Sequence, residues 1–240
     1  MDNLDLRYKE QLLKKHLLSF ESPHRFRIED DFFTKSAVLF SIIPRDDEPY
    51  ELVLILRANK GEKHRGEMSF PGGKFDSHLD KSLQDTALRE CEEEIGVSRE
   101  NIKILGCLHD FPTMTQFIIT PFIGVINNDQ ELIKDEREVQ EIIKVPINFF
   151  TEKRSFNETT MDFEGKPFPV FFFNYKFNKK RYLIWGATAY LISSFIKLVY
   201  DHDLSALGLR RFSVNEIKSL KSIIINREKF TDHLKHINIE

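Results

Sequence analysis

Cysteine is scarce, with two residues among 240, and tryptophan scarcer still, with one. Cys91 and Cys107 lack metal-ligand spacing, and the charged start MDNLDLRYKEQ does not read as an export or transit signal. A disulfide scaffold is therefore not expected, and the usage fits a reducing, cytoplasmic compartment. The C-terminal NIE is no peroxisomal address. A large charge of either sign is missing as well: 35 Lys and Arg against 38 Asp and Glu leave a net charge of −3. No global field draws the chain to nucleic acid or an anionic membrane, so any anion must be bound locally. There is no internal repeat and no low-complexity linker. The nearest approach to a long apolar run, Tyr182 to Tyr200, carries Thr188, Ser193, Ser194 and Lys197. Its Ala187, Leu191, Phe195 and Leu198 recur at helical spacing, which predicts a buried amphipathic helix rather than a membrane span.

What is present is an ordinary globular composition, 41% hydrophobic and 30% charged, enough for one main domain. Phenylalanine is over-used, with 22 copies set among Ile, Leu and Val, where core filling is the expected role. Leu4 to Phe20 reads as an amphipathic helix on the outside of the fold. Ser36 to Ile43 and Glu51 to Arg57 flank the turn-rich PRDDEPY and predict a hairpin. From Asp80 to Ile95 the pattern is helical: Leu83, Leu88, Cys91 and Ile95 form a buried stripe, Asp80 or Ser82 caps the start, and Gly96 ends it. Ile102 to Leu108 and Phe117 to Ile126 are strand candidates, the second interrupted or ended near Pro121. Glu138 to Val145 is a further short element. Val170 to Tyr175 and Tyr182 to Trp185 flank a turn at Asn178 to Lys180, Phe149 to Phe172 reads as loop, and Val214 to Ile225 is a late amphipathic segment. This order favours an α/β arrangement with a mixed sheet between helices.

The segment that carries chemistry is Phe70 to Val97, which joins a diglycine turn to a helix rich in glutamate. At about 100° per residue, Glu90, Glu93 and Glu94 share one face while Glu92 points elsewhere. Arg89 stands at the margin, where its guanidinium can orient a carboxylate or hold a phosphate. Three like charges on one face repel, and a hard divalent cation such as Mg²⁺ or Mn²⁺ offsets that by bridging carboxylates to substrate phosphates. Three glutamates alone fit a solvated acidic face better than a metal site. The glycines upstream shift the balance, because they permit close backbone approach to a phosphate-bearing ligand.

Arg89-Glu90-Cys91-Glu92-Glu93-Glu94-Ile95-Gly96-Val97 resembles the Nudix signature R-E-U-x-E-E-x-G-U, with Cys91 in the apolar slot and Gly73 as the opening glycine. The interval from Gly73 to Arg89 is two residues longer than in the general box, and Lys81 falls at its usual first glutamate. Upstream, Arg57, His64, Gly66, Glu67, Met68, Phe70, Pro71, Gly72 and Gly73 are similar to the R-S-x-x-L-R-x-H-x-G-E-V-x-F-P-G-G pattern of the coenzyme A diphosphatase branch. Asp76 and Asp80 resemble that branch's paired aspartates, whereas Gly61 and Glu62 replace its usual Leu-Arg. Thr120-Pro121, Glu138-Val139 with Val145-Pro146, and Ile184-Trp185-Gly186-Ala187-Thr188-Ala189 extend the resemblance to about residue 199.

The resemblance implies a Nudix-like α/β/α sandwich with a central mixed sheet over residues 36–200, between helical extensions at 1–35 and 201–240. It implies hydrolysis of a diphosphate bond, with Glu90, Glu93 and Glu94 holding Mg²⁺ or Mn²⁺, which neutralises phosphate charge and activates water. Glu93 and Glu138 are the candidate general bases, and Arg89 completes the catalytic set. Arg57, His64, Gly72 and Gly73 are the candidate substrate-binding residues, with Lys60, Lys63 and Arg65 adding positive charge near the phosphates. Glu67 supports the metal shell, and Cys91 and Trp185 pack in the core. Coenzyme A or a derivative is the expected small-molecule substrate. ADP-ribose or a dinucleoside polyphosphate is the alternative, a non-catalytic binding module a third reading, and a homodimer is compatible with all three.

Overall fold

The computed structural model describes residues 4–58, 66–163 and 165–237. The two apolar runs either side of PRDDEPY form β1 (Thr34–Ile43) and β2 (Glu51–Arg57), and they pair as the expected antiparallel hairpin, with Ser41 opposite Val53. Six further strands complete the main sheet: β3 (Met68–Ser69), β4 (Gly72–Lys74), β5 (Ile102–Cys107), β6 (Phe111–Pro112), β7 (Phe117–Ile126) and β8 (Val139–Pro146). β1 runs parallel to β7 and antiparallel to β2 and β4, so the sheet is mixed.

Both faces of this sheet are apolar, and each is covered. On one lies α2 (Leu83–Ile95), whose Ala87, Leu88, Cys91 and Ile95 pack with Leu39, Val53, Ile55 and Phe122. On the other lies α3 (Gly186–Tyr200), with the Phe195 ring 4.6 Å from that of Phe40. Each large side chain so buried contributes roughly 1.5–3 kcal/mol. The fold is thus an α/β/α sandwich around a mixed sheet. α3 takes only Gly186 onward of the run that starts at Tyr182, and no described helix is long and apolar enough to cross a membrane.

Three expectations are corrected. First, the N-terminal helix is short: α1 covers Glu10–His16 rather than Leu4 to Phe20. Its flanks are held by backbone bonds to the sheet's surroundings, Tyr50 N–H to Leu6 O at 3.3 Å and Cys107 N–H to Leu18 O at 2.8 Å. These partners outcompete helix propensity at both ends. Leu13 is buried in the same core as α3, so the helix is more than a surface appendage.

Second, β7 continues through Pro121, which faces Val38 of β1. The Pro121 carbonyl accepts from Leu108 N–H at 3.0 Å. A strand residue directs its N–H and C=O to the same edge, so the missing N–H faces the gap where β5 ends and β6 has not begun. No ladder bond to β1 is lost.

Third, the phenylalanine-rich stretch is a second sheet, not a loop. Short 3-10 turns at Ile147–Thr151 and Lys153–Ser155 lead into β9 (Phe156–Phe163), β10 (Lys166–Phe177) and β11 (Lys180–Trp185), paired antiparallel in that order. Asn178 and Lys179, both at positive φ, make the two-residue turn between β10 and β11. Phe171 and Phe173 alternate inward with period two and close the core beneath α3. The tail forms α4 (Val214–Ile237), which extends beyond the expected segment; its Ile217, Leu220 and Ile224 pack on Ile28, Phe33 and Phe168.

Candidate active site

α2 begins and ends where its terminal residues demand. Ser82 accepts from Asp85 N–H at 3.1 Å, and Gly96, at φ 72°, takes the left-handed conformation that terminates the helix. Of the two candidate caps, Ser82 therefore fills the position and Asp80 is free for another task. Buried beside the helix, Asp80 receives the Asp76 N–H at 3.0 Å, the Thr86 hydroxyl at 2.9 Å and two donors of Arg89, Nε at 2.8 Å and Nη2 at 3.0 Å. These bonds, led by Arg89, draw the Asp80 carboxyl down to about 2.

The remaining donors of Arg89 reach the Lys74 carbonyl at 3.2 Å, Glu90 Oε1 at 2.8 Å and Glu93 Oε2 at 2.9 Å. All five N–H groups of the guanidinium are thus engaged. Of the two roles open to it, orienting carboxylates matches the geometry and grasping phosphate does not. Asp80 was visible in the sequence as one of two paired aspartates, but its part as the anchor of Arg89 was not. That part depends on the loop folding back nine residues to meet the helix.

The diglycine does something specific for the carboxylates. Gly72 N–H donates to Glu94 Oε2 at 2.9 Å. Gly73 lies directly under Glu90: a Cβ there would stand 2.6 Å from Glu90 Oε2. Glu94 is 1% exposed, with Arg57 Nη1 at 3.4 Å from Oε1. Burial, outweighing the Gly72 N–H and Arg57, pushes its carboxyl up to about 8, and the charges of Glu90 and Glu138 add to the rise. Glu90 is also raised, mainly by burial, against the pull of Arg89 and with Glu93 and Glu138 pushing the same way. Glu93 is the exposed member, its side chain 55% accessible. Glu138 lies on an exposed turn at the start of β8, where its main chain bonds Ala58 and Asp135.

The structure therefore gathers Arg57, Gly72, Gly73, Arg89, Glu90, Glu93 and Glu94 at one edge of the sheet, with Glu138 within electrostatic range. His64, Lys60, Lys63 and Arg65 lie outside the described residues. Among the described residues, no three or more His, Cys, Asp or Glu side chains already stand at metal-ligand spacing. The donor set nevertheless fits a hard divalent cation. It consists of carboxylate oxygens, two of them are desolvated with raised pKa values, and mutual repulsion is the cost that a cation offsets. Glu90 and Glu93 share one Arg89 nitrogen, Nη1.

Cys91 is buried in the core as expected, its thiol pushed well above the usual range by burial. Trp185 is a correction. It is 42% exposed rather than packed inside, because β11 alternates, with Tyr182 and Ile184 inward and Arg181, Leu183 and Trp185 outward. The apolar neighbours in sequence conceal that alternation.

Comparison with known proteins agrees with this geometry. The model of the NUDIX domain family matches residues 35–164. Nudix hydrolase 22, chloroplastic, of Arabidopsis thaliana is 31% identical over 202 residues, covering 82% of this chain and 65% of that protein. Nudix hydrolase 15, mitochondrial, of the same plant is 28% identical, over 75% of this chain and 62% of its own length. This chain thus spans slightly less than two thirds of those two relatives. The uncharacterized Nudix hydrolase NudL of Photorhabdus laumondii is 32% identical over 65% of this chain and 80% of its own. With the family model covering more than half the chain and the glycine loop and glutamate helix in place, the chain belongs to the Nudix family.

Proposed function

We propose that this chain is a divalent-metal-dependent diphosphatase whose substrate is coenzyme A or a derivative, cleaved to 3′,5′-ADP and a 4′-phosphopantetheine species. The observation that carries the hydrolytic part is the desolvated pair Glu90 and Glu94, pressed against Gly73 and Gly72 and flanked by Glu93. The H-x-G-E…F-P-G-G segment ending at Gly73 supports the coenzyme A part. Residues 36–200 are proposed as the catalytic unit, with 1–35 and 201–240 as extensions.

Glu90, Glu93 and Glu94 would hold Mg²⁺ or Mn²⁺, which neutralises charge on the diphosphate and makes a water a stronger nucleophile. Gly72 orients Glu94 through its N–H. Arg89, anchored on Asp80, sets the rotamers of Glu90 and Glu93 and is a positioning residue. Arg57 shares the charge of Glu94 and faces the place where a phosphate arrives. Glu93 and Glu138 remain the candidates to take the proton from the attacking water.

The test is competition among coenzyme A, acetyl-coenzyme A, ADP-ribose and a dinucleoside polyphosphate at equal concentration with Mg²⁺ or Mn²⁺, products resolved chromatographically beside a Glu93→Gln control. The proposal expects metal-dependent 3′,5′-ADP as the main product and its loss in the control. Preferential AMP release from ADP-ribose would overturn the substrate assignment.

A further inference from the structure

On the face of the main sheet opposite α2, a cleft of about 490 Å³ opens between β3, β8 and the edge strand β11, within the usual size range of small-molecule sites. Its floor is Leu56, and Trp185 and Leu183 stand on its wall, both largely exposed. The Trp185 ring lies parallel to that of Phe172, centroids 6.3 Å apart and planes 5° from parallel, so its orientation is fixed by a cross-strand neighbour. Two carboxylates, Glu67 and Glu141, and two cations, Lys180 and Arg181, line the cleft, and both carboxylates are already engaged. Glu141 is already held by Lys180 at 3.0 Å and by the Tyr182 hydroxyl at 3.0 Å. Arg181, on the same outward row as Leu183 and Trp185, makes no hydrogen bond or ion pair among the described residues.

The cleft adjoins the carboxylate site. Leu56 immediately precedes Arg57, which touches Glu94, and Arg57 faces Val139, next to Glu138. Successive strand residues point to opposite faces, so the two regions are the two sides of one strand end.

We propose that this cleft holds the phosphorylated nucleobase end of the diphosphate substrate, the base stacked on Trp185 and the ribose phosphate paired with Arg181. The inference rests on the coenzyme A reading and deepens it, since a 3′-phosphate is what separates coenzyme A from plain ADP compounds. An exposed tryptophan on the same outward row as Arg181, with Leu183 between them and no partner for the guanidinium among the described residues, matches a planar ring carrying phosphate. A pantetheine arm, uncharged and flexible, offers the guanidinium only neutral amide and hydroxyl acceptors, weaker partners than a phosphate.

Trp185 is the chain's one tryptophan, so its fluorescence reports on the cleft alone. Titration with 3′,5′-ADP, 5′-AMP and pantetheine is expected to show quenching by both adenine nucleotides, with 3′,5′-ADP bound about tenfold more tightly, as one charge-assisted phosphate contact provides. Arg181→Gln, at an exposed position, should reduce that preference to within about twofold. By calorimetry, Trp185→Ala should weaken both nucleotides about tenfold. Equal affinity for the two nucleotides in the wild type, quenching by pantetheine instead, or a signal that changes with protein concentration alone and so marks a second copy in the cleft, would each overturn the proposal. Arg181-dependent binding of 3′,5′-ADP without cleavage of coenzyme A would contradict the substrate assignment and uphold the cleft. Cleavage of coenzyme A with no dependence on Arg181 would contradict the cleft alone.

Discussion

Gly72 and Gly73 are neighbours with the same side chain and different reasons for lacking one. The atoms nearest a Cβ on Gly73 are those of the Glu90 carboxyl, the end of a side chain, whereas on Gly72 it meets backbone, with Val38 Cα 2.6 Å away. Gly73→Ala should therefore leave the melting temperature almost unchanged and lower kcat by about 100-fold, the usual cost of displacing a reacting group by an ångström. Gly72→Ala should destabilise the chain by about 2–3 kcal/mol through overpacking against β1. Denaturation curves and steady-state kinetics on the pair separate the two effects; equal stability loss in both would contradict the contrast. The sequence alone offers two adjacent glycines in a motif. Which carboxylate each one accommodates is a matter of tertiary approach across 17 to 22 residues, and no local pattern encodes it.

Among the elements, α2 was the most legible, because its cap, its apolar stripe and its terminating glycine agree with one another. The hairpin of β1 and β2 was equally plain from turn residues between apolar runs. The second sheet was not, since Phe171, Phe172 and Phe173 read as one apolar block while only the first and third turn inward. Burial on one face was invisible where both faces carry aromatic residues. The same ambiguity hid the exposed row of Arg181, Leu183 and Trp185. The clamp between the glycine loop and α2 makes a prediction of its own. Arg89→Met would strand the buried Asp80 carboxylate, whose side chain is 1% accessible, at a cost of about 3 kcal/mol. Turnover should fall as well, because Glu90 and Glu93 lose their shared donor. Asp80→Asn paired with Arg89→Met should recover much of the stability and little of the turnover. Full recovery of turnover would show that Arg89 does not position the carboxylates.

At the scale of the whole molecule, the N-terminal segment, the sandwich and α4 share packing. Arg25 reaches across to the Leu108 carbonyl at 3.0 Å and to Asp110, and Phe26 N–H donates to His109 Nδ1 at 2.9 Å. That last bond needs an unprotonated Nδ1. Burial, with Arg211 and Arg25 nearby, draws the His109 pKa down from 6.5 to about 4. The unfolded chain then binds this proton more readily than the folded one, so the His109 contribution to stability is whole above about pH 6.5 and is lost as pH falls toward 4. Urea denaturation at several pH values should show this loss in the wild type and a flatter profile between pH 4 and 6.5 in His109→Gln; identical profiles would contradict it.

The proposed function assigns to the carboxylates of α2 a metal-dependent cleavage of coenzyme A. Its most direct measurement is the initial rate of 3′,5′-ADP release from coenzyme A across a Mn²⁺ titration, for the wild type and for Glu94→Gln. Gln keeps an acceptor for Gly72 N–H and matches the carboxyl in size, so folding is retained. The account predicts saturable Mn²⁺ dependence in the wild type and at least about a 100-fold lower rate in Glu94→Gln, the scale of losing one electrostatic element of a preorganised site. A metal-independent rate, or a Glu94→Gln rate equal to the wild type, would contradict it.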